Sequence, residues 1–157
     1  MDVQLINAFV RSIDNVFRTM LGVNVRVNKP VRSTRHPESV NVSGVIGISG
    51  SVQGAVVLNF TDQVATRVAS KLTGGPIAPQ SPDLVDAVGE LANMVAGGAK
   101  AEFGDGESYI SLPTVVLGNG HHVAQTQDHP VLTIPCSTPL GDFSVDVSLV
   151  AVTAAAT

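Results

Sequence analysis

The sequence predicts an α+β fold: an antiparallel β-sheet region carrying a long helix and two further helices. Three observations predict it. Apolar residues recur at helical spacing in three segments. Elsewhere they alternate with polar residues, as in half-buried strands. The strands also fall in consecutive runs rather than alternating one for one with helices, which argues for a sandwich over a doubly wound parallel sheet. The chain has 157 residues, 44% hydrophobic and 14% charged, so residues 1–157 suit a single domain with a substantial core. Nine basic against thirteen acidic residues give a net charge of −4, which argues against nucleic acid as a partner. A lone cysteine, Cys136, excludes an internal disulfide and a multi-cysteine zinc site. No apolar run reaches the roughly 20 residues of a membrane helix. The start, Met1-Asp2-Val3-Gln4, lacks the basic-then-apolar pattern of a secretory signal, so the expected location is cytoplasmic.

The elements follow in order. Residues 3–21 read as a helix capped by Asp2 and ended by Gly22, with Ile6, Phe9, Val10, Ile13, Val16, Phe17 and Met20 facing the core. Val23, Val25 and Val27 alternate as a short strand, and Asn28–Ser39, with two prolines, reads as a loop. Val40–Ile48 and Val52–Phe60 form a hairpin about Gly50-Ser51. Its glycines lack the Lys-Ser/Thr of a phosphate loop and read as tightly packed strand residues. Thr61–Leu72 is a second helix, capped by Thr61 or Asp62 and stopped by Gly74-Gly75-Pro76. Ser81-Pro82 opens a third, longer helix that runs to about Phe103. Four strands follow near Ser108–Leu112, Thr114–Gly118, Val131–Cys136 and Asp142–Val152.

The third helix carries the chemistry-bearing residues. At about 100° per residue, Asp86, Glu90, Asn93 and Gly97 share one narrow stripe. Leu84, Val88, Leu91, Ala92, Val95 and Ala99 lie opposite and would pack on the core. Two readings of the stripe stand open. It is the wet face of an amphipathic helix, or it meets another protein. Gly89, Gly97 and Gly98 each cost up to about 1 kcal/mol inside a helix. A wet face has no reason to accept that cost, whereas a face needing close approach does, whether of a partner or of another part of the fold.

The segment Glu90-Leu-Ala-Asn93-Met-Val-Ala-Gly97, with Asp86 before it and Ser111-Leu112-Pro113-Thr114 after it, resembles the CheX/CheC family of chemotaxis phosphatases, and the CheX branch in particular. That family's signature is an acidic or Ser residue, three residues, Glu, two residues, Asn, and a downstream Pro. Asp86, Glu90 and Asn93 match position by position. Pro113 matches in kind, 19 intervening residues after Asn93 and a few fewer than usual. The resemblance implies a CheC/CheX-like fold and hydrolysis of the aspartyl phosphate of a CheY-type response regulator. It implies Asn93 as the residue placing the attacking water and Glu90 as the partner of the receiver's lysine. Asp86, Gly97 and Pro113 would be partner contacts. It further implies no cofactor of the chain's own, Mg²⁺ being supplied by the receiver, and a homodimer. A docking module without catalysis, as in flagellar switch proteins sharing the fold, is the alternative.

Other candidates carry less. The family's second Glu/Asn pair would fall on the first helix, but Ser12 stands where Glu is needed, three residues before Asn15, which predicts one active site per chain. His121, His122 and His129 with Asp128 fall in a polar loop and read as a hairpin tip rather than a metal site. Cys136 reads as a small buried hydrophobe. Pro135 within a strand pattern suggests an edge strand where two chains could join sheets.

Overall fold

A computed structural model describes residues 2–32, 40–104, 107–125 and 130–152. Helix α1, Val3–Val16, starts at Asp2, whose carboxylate accepts from the Gln4 amide at 2.8 Å. It runs into a π-turn, Phe17–Leu21, closed by Gly22 in the left-handed conformation at φ 70°. Strands β1 (Arg26–Val27) and β2 (Val31–Arg32) are two residues each, and β2 falls in the stretch that reads as loop from sequence. Strands β3 (Val42–Gly50) and β4 (Val52–Phe60) form the expected hairpin, with Gly50 at φ 96°. Helix α2 (Asp62–Thr73) is capped by the Thr61 hydroxyl, and α3 (Pro82–Lys100) by that of Ser81. Strands β5 (Ser108–Ile110), β6 (Thr114–Leu117), β7 (Leu132–Thr138) and β8 (Gly141–Ala151) follow among the described residues.

All described pairings are antiparallel, in one sheet of order β1-β7-β8-β4-β3-β5, with β2 also on β7 and β6 also on β3. The alternating apolar residues of β3, β4, β7 and β8 join those of the helices in one core. Phe143 of β8 stacks on Phe17 at 4.8 Å and on Phe60 at 5.3 Å between ring centres. Such pairs add about 0.5–1.5 kcal/mol each beyond burial. The motif helix is seated at Gly44, where an added β-carbon would lie 3.1 Å from Ala92 Cβ and 3.3 Å from Val88 Cγ1. A larger residue there would lift α3 off the sheet.

Four expectations change. Met20, placed on the core stripe by uninterrupted helical spacing, is instead 51% exposed, and Leu21 is buried. The π-turn inserts one residue into the helical register, so the core position passes from residue 20 to residue 21. The α-helical part of α3 ends at Lys100 rather than near Phe103, because the next amides reach back only three residues (Glu102 to Ala99, Phe103 to Lys100). Pro135 does not mark a free edge: β1 and β2 cover the outer side of β7. The Asn28 amide donates to the Pro135 carbonyl at 2.8 Å, and the reciprocal bond would need the N–H that proline lacks, so the β1 ladder stops at Val27. Finally, not all the polar residues of β8 face water: Asp142 is exposed and Ser144 half-buried, but the next two are not. Asp146 and Ser148 are buried on the sheet face away from the helices, where Asn59 Nδ2 and Thr133 Oγ1 donate to the Asp146 carboxylate at 3.0 and 2.6 Å.

Candidate active site

Helix α3 is a rigid 19-residue rod about 28 Å long. The Ser81 hydroxyl accepts from the Leu84 amide at 3.2 Å, Pro82 fills the first turn, and Asp83 and Lys100 sit at the ends that suit their charges. All six residues expected on its core side are buried. Its inner face therefore cannot rotate, and the opposite stripe must face outward. Asp86 and Glu90 are exposed; Asn93 and Gly97 are half-buried. Within the described residues the side chains of Asp86, Glu90 and Asn93 have no hydrogen-bond or ion-pair partner. A carboxylate and an amide one turn apart, uncommitted on a rigid helix, are free to engage something outside the chain.

Pro113 is brought beside this stripe from far along the sequence. Ser111 pins its loop: the Ser111 amide donates to the Gly47 carbonyl and the Gly47 amide to Ser111 Oγ, both at 2.8 Å. An added β-carbon at Gly89 would lie 3.4 Å from Pro113 Cγ, so Gly89 lets the proline ring approach the helix. Asp86, Gly89, Glu90, Pro113 and Val115 line a shallow hollow of about 380 Å³. Gly98 also serves the fold, since a β-carbon there would collide with Ser12 Oγ. Gly97 differs, because its nearest neighbour would be Ile110 Cδ1 at 4.0 Å. Of the three helix glycines, then, two allow close approach within the chain, and Gly97 leaves room beside it that no described residue fills.

Ser12 is buried, and its hydroxyl donates to the Val95 carbonyl at 2.7 Å, so it joins α1 to α3 rather than forming half of a second surface site. His121 is held on both ring nitrogens, by Ser43 Oγ and the Gly118 carbonyl, each at 2.7 Å. Asp128 and His129 lie outside the described residues. Among the described residues no three His, Cys, Asp or Glu side chains come together as a metal cluster. Cys136 is buried, and burial pushes its thiol up to about 12.

Sequence reasoning missed a second hollow, of about 620 Å³, on the other flank of Asp86 and Glu90. Met20, Leu72, Ile77 and Met94 wall it. They come from the π-turn after α1, α2, the α2–α3 connection and α3, so no single segment carries a signal for it. A larger hollow of about 720 Å³, with Arg67 and Lys71, lies between α2 and the β7–β8 turn, and neither Glu90 nor Asn93 lines it.

A three-helix layer on one antiparallel sheet, with the motif helix presenting its acidic–Glu–Asn stripe outward, is the CheC/CheX-like α+β fold. Residues 42–137 match the family model described as chemotaxis phosphatase CheX, and the chain belongs to that family. A relative in Thermotoga maritima, CheY-P phosphatase CheX, is 33% identical over 121 residues, 75% of this chain and 78% of that protein. The crystal structure of chemotaxis protein CheX from Vibrio vulnificus superposes with TM-score 0.86 at 26% identity, over 94% of this chain and 100% of that one. The structure of a CheX-CheY-BeF3-Mg²⁺ complex from Borrelia burgdorferi matches with TM-score 0.77 at 25% identity, over 92% of this chain and 97% of the other. No described helix is long and apolar enough to cross a membrane.

Proposed function

We propose that this chain hydrolyses the aspartyl phosphate of a CheY-type receiver protein, with Asn93 and Glu90 as its catalytic residues. The observation that carries the reading is the pair itself: both side chains are uncommitted within the described chain and are held on one outward stripe of a helix whose other face is locked in the core. A relative called CheY-P phosphatase, and a CheX solved in complex with CheY, support it.

The chemistry asks little of the enzyme. Water attacks phosphorus in line, the phosphorus–oxygen bond to the aspartyl carboxyl breaks, and the products are an aspartate carboxylate and inorganic phosphate. Catalysis is then mainly positioning. The Asn93 amide accepts from and donates to the attacking water without titrating. Glu90 meets the receiver's lysine and sets the register of docking. Asp86, Gly97 and Pro113 contact the receiver around this pair, and the open face at Gly97 lets its backbone come near. The divalent ion at the phosphoryl group belongs to the receiver, where acidic side chains hold it. The working unit is a homodimer in the cytoplasm. The test is direct: the purified protein, added to an acetyl-phosphate-loaded CheY-type receiver with Mg²⁺, speeds loss of the acyl phosphate. A decay rate equal to that of the receiver alone refutes the reading.

A further inference from the structure

The stripe of Asp86, Glu90, Asn93 and Gly97 is too small to hold a protein. A stable interface covers about 800 Å² on each partner, far more than four residues on one helix supply. A partner docked on the stripe must therefore rest on a flank as well. One flank is the hollow of about 620 Å³ walled by Met20, Leu72, Ile77 and Met94. Asp86 and Glu90 line this hollow too, so it is continuous with the stripe.

Three features describe its occupant. The wall is apolar and rich in methionine, whose flexible thioether adapts to a partner's surface and is enriched in interface cores. The acidic rim of Asp83, Asp86 and Glu90 includes no lysine or arginine among the lining residues. And Met20 is exposed only because the π-turn displaces it from the core register; such turns are rare and recur at functional sites. An apolar floor under an acidic rim fits a protein surface presenting an apolar side chain beside a lysine or arginine. A second copy of this chain fits badly, because a two-fold contact here would set the three carboxylates against their own copies.

We propose that this hollow is the second half of the receiver-docking surface, with Met20 as a specificity-determining contact for an apolar, basic-flanked segment of the receiver. The proposal rests on the phosphatase reading above. Met20 touches neither water nor phosphoryl group, so it acts on affinity rather than on the chemical step. In the dephosphorylation assay, Met20→Ser raises KM roughly ten-fold with kcat within two-fold, and Met20→Leu restores KM to near wild type. Ile77→Ser, from the opposite wall, repeats the effect should Met20→Ser fail to fold. An unchanged KM in folded Met20→Ser and Ile77→Ser overturns the proposal while leaving the phosphatase reading intact. So does a change of oligomeric state in Met20→Ser, which would assign the hollow to a second copy. If the wild type turns nothing over, the phosphatase reading falls. Binding of a receiver loaded with beryllofluoride and Mg²⁺ then decides the hollow separately: binding lost in Met20→Ser supports it, and binding that is equal, or absent in the wild type as well, overturns it.

Discussion

Gly98 should be intolerant of even one added carbon, and the intolerance should disappear when Ser12 is shortened. In a helix, Gly→Ala is ordinarily stabilising by about 0.8–1.0 kcal/mol. Here the new methyl collides with Ser12 Oγ, the atom that donates to the Val95 carbonyl. The hydroxyl must rotate away, losing a hydrogen bond worth about 1 kcal/mol and leaving a buried donor unpaired at a cost of about 1–3 kcal/mol. The net expectation for Gly98→Ala is a loss of about 1–3 kcal/mol, a fall in Tm of about 2–12 °C for a chain of this size. In a Ser12→Ala background the collision is gone. Ser12 Cβ lies 3.4 Å from the new methyl, a contact a helix pair can absorb. Gly98→Ala should then raise Tm by about 2–4 °C, giving a coupling of about 2–4 kcal/mol in the four-protein cycle. Thermal unfolding followed by circular dichroism reads all four. If Gly98→Ala raises Tm equally in both backgrounds, the α1–α3 contact does not require this glycine.

Two further predictions concern the site and the core. Gly97→Leu should leave Tm close to wild type, since its β-carbon meets only Ile110 Cδ1 at 4.0 Å, yet weaken receiver binding at least about ten-fold in a titration by blocking close approach; unchanged affinity would remove Gly97 from the docking face. Cys136, its thiol pushed up to about 12 by burial, should be about one part in ten thousand thiolate at pH 8 and unreactive toward Ellman's reagent until denaturant is added. Because the unfolded thiol ionises near 9, its burial opposes unfolding fully below that pH, and the contribution is lost as pH rises from about 9 toward 12; rapid labelling of the folded protein would contradict this.

How far the sequence discloses the protein depends on whether a feature lies within one segment or between segments. The stripe on α3 was legible because Ser81-Pro82 sets the helix start and the periodic apolar face sets its rotation. Once Leu84, Val88, Leu91, Ala92, Val95 and Ala99 are inside, Asp86, Glu90 and Asn93 have to be outside. Met20 was misplaced because periodicity extrapolates an unbroken α-helix, and nothing local in Phe17–Leu21 announces the change of register. Pro135 was read as an edge from its missing N–H alone. The two-residue strands that cover β7 are too short to show alternation. Period-two alternation alone leaves Asp146 on the wet face, and it does not register the Asn59 and Thr133 partners, which come from other strands. The glycines held both answers at once: Gly89 and Gly98 admit Pro113 and Ser12, and Gly97 has no close neighbour within the described chain. The sequence could only count them.

The central claim is that Asn93 acts on the water and Glu90 on the partner, and the most direct measurement is single-turnover decay of a phospho-receiver with each alanine variant. Asn93 is half-buried without a hydrogen-bond partner among the described residues, so Asn93→Ala should fold with stability within about 0.5 kcal/mol of wild type. Its chemical step should slow at least about a hundred-fold, with much of the receiver binding retained. Glu90→Ala should weaken both binding and turnover. Dephosphorylation by Asn93→Ala at near the wild-type rate would contradict the account.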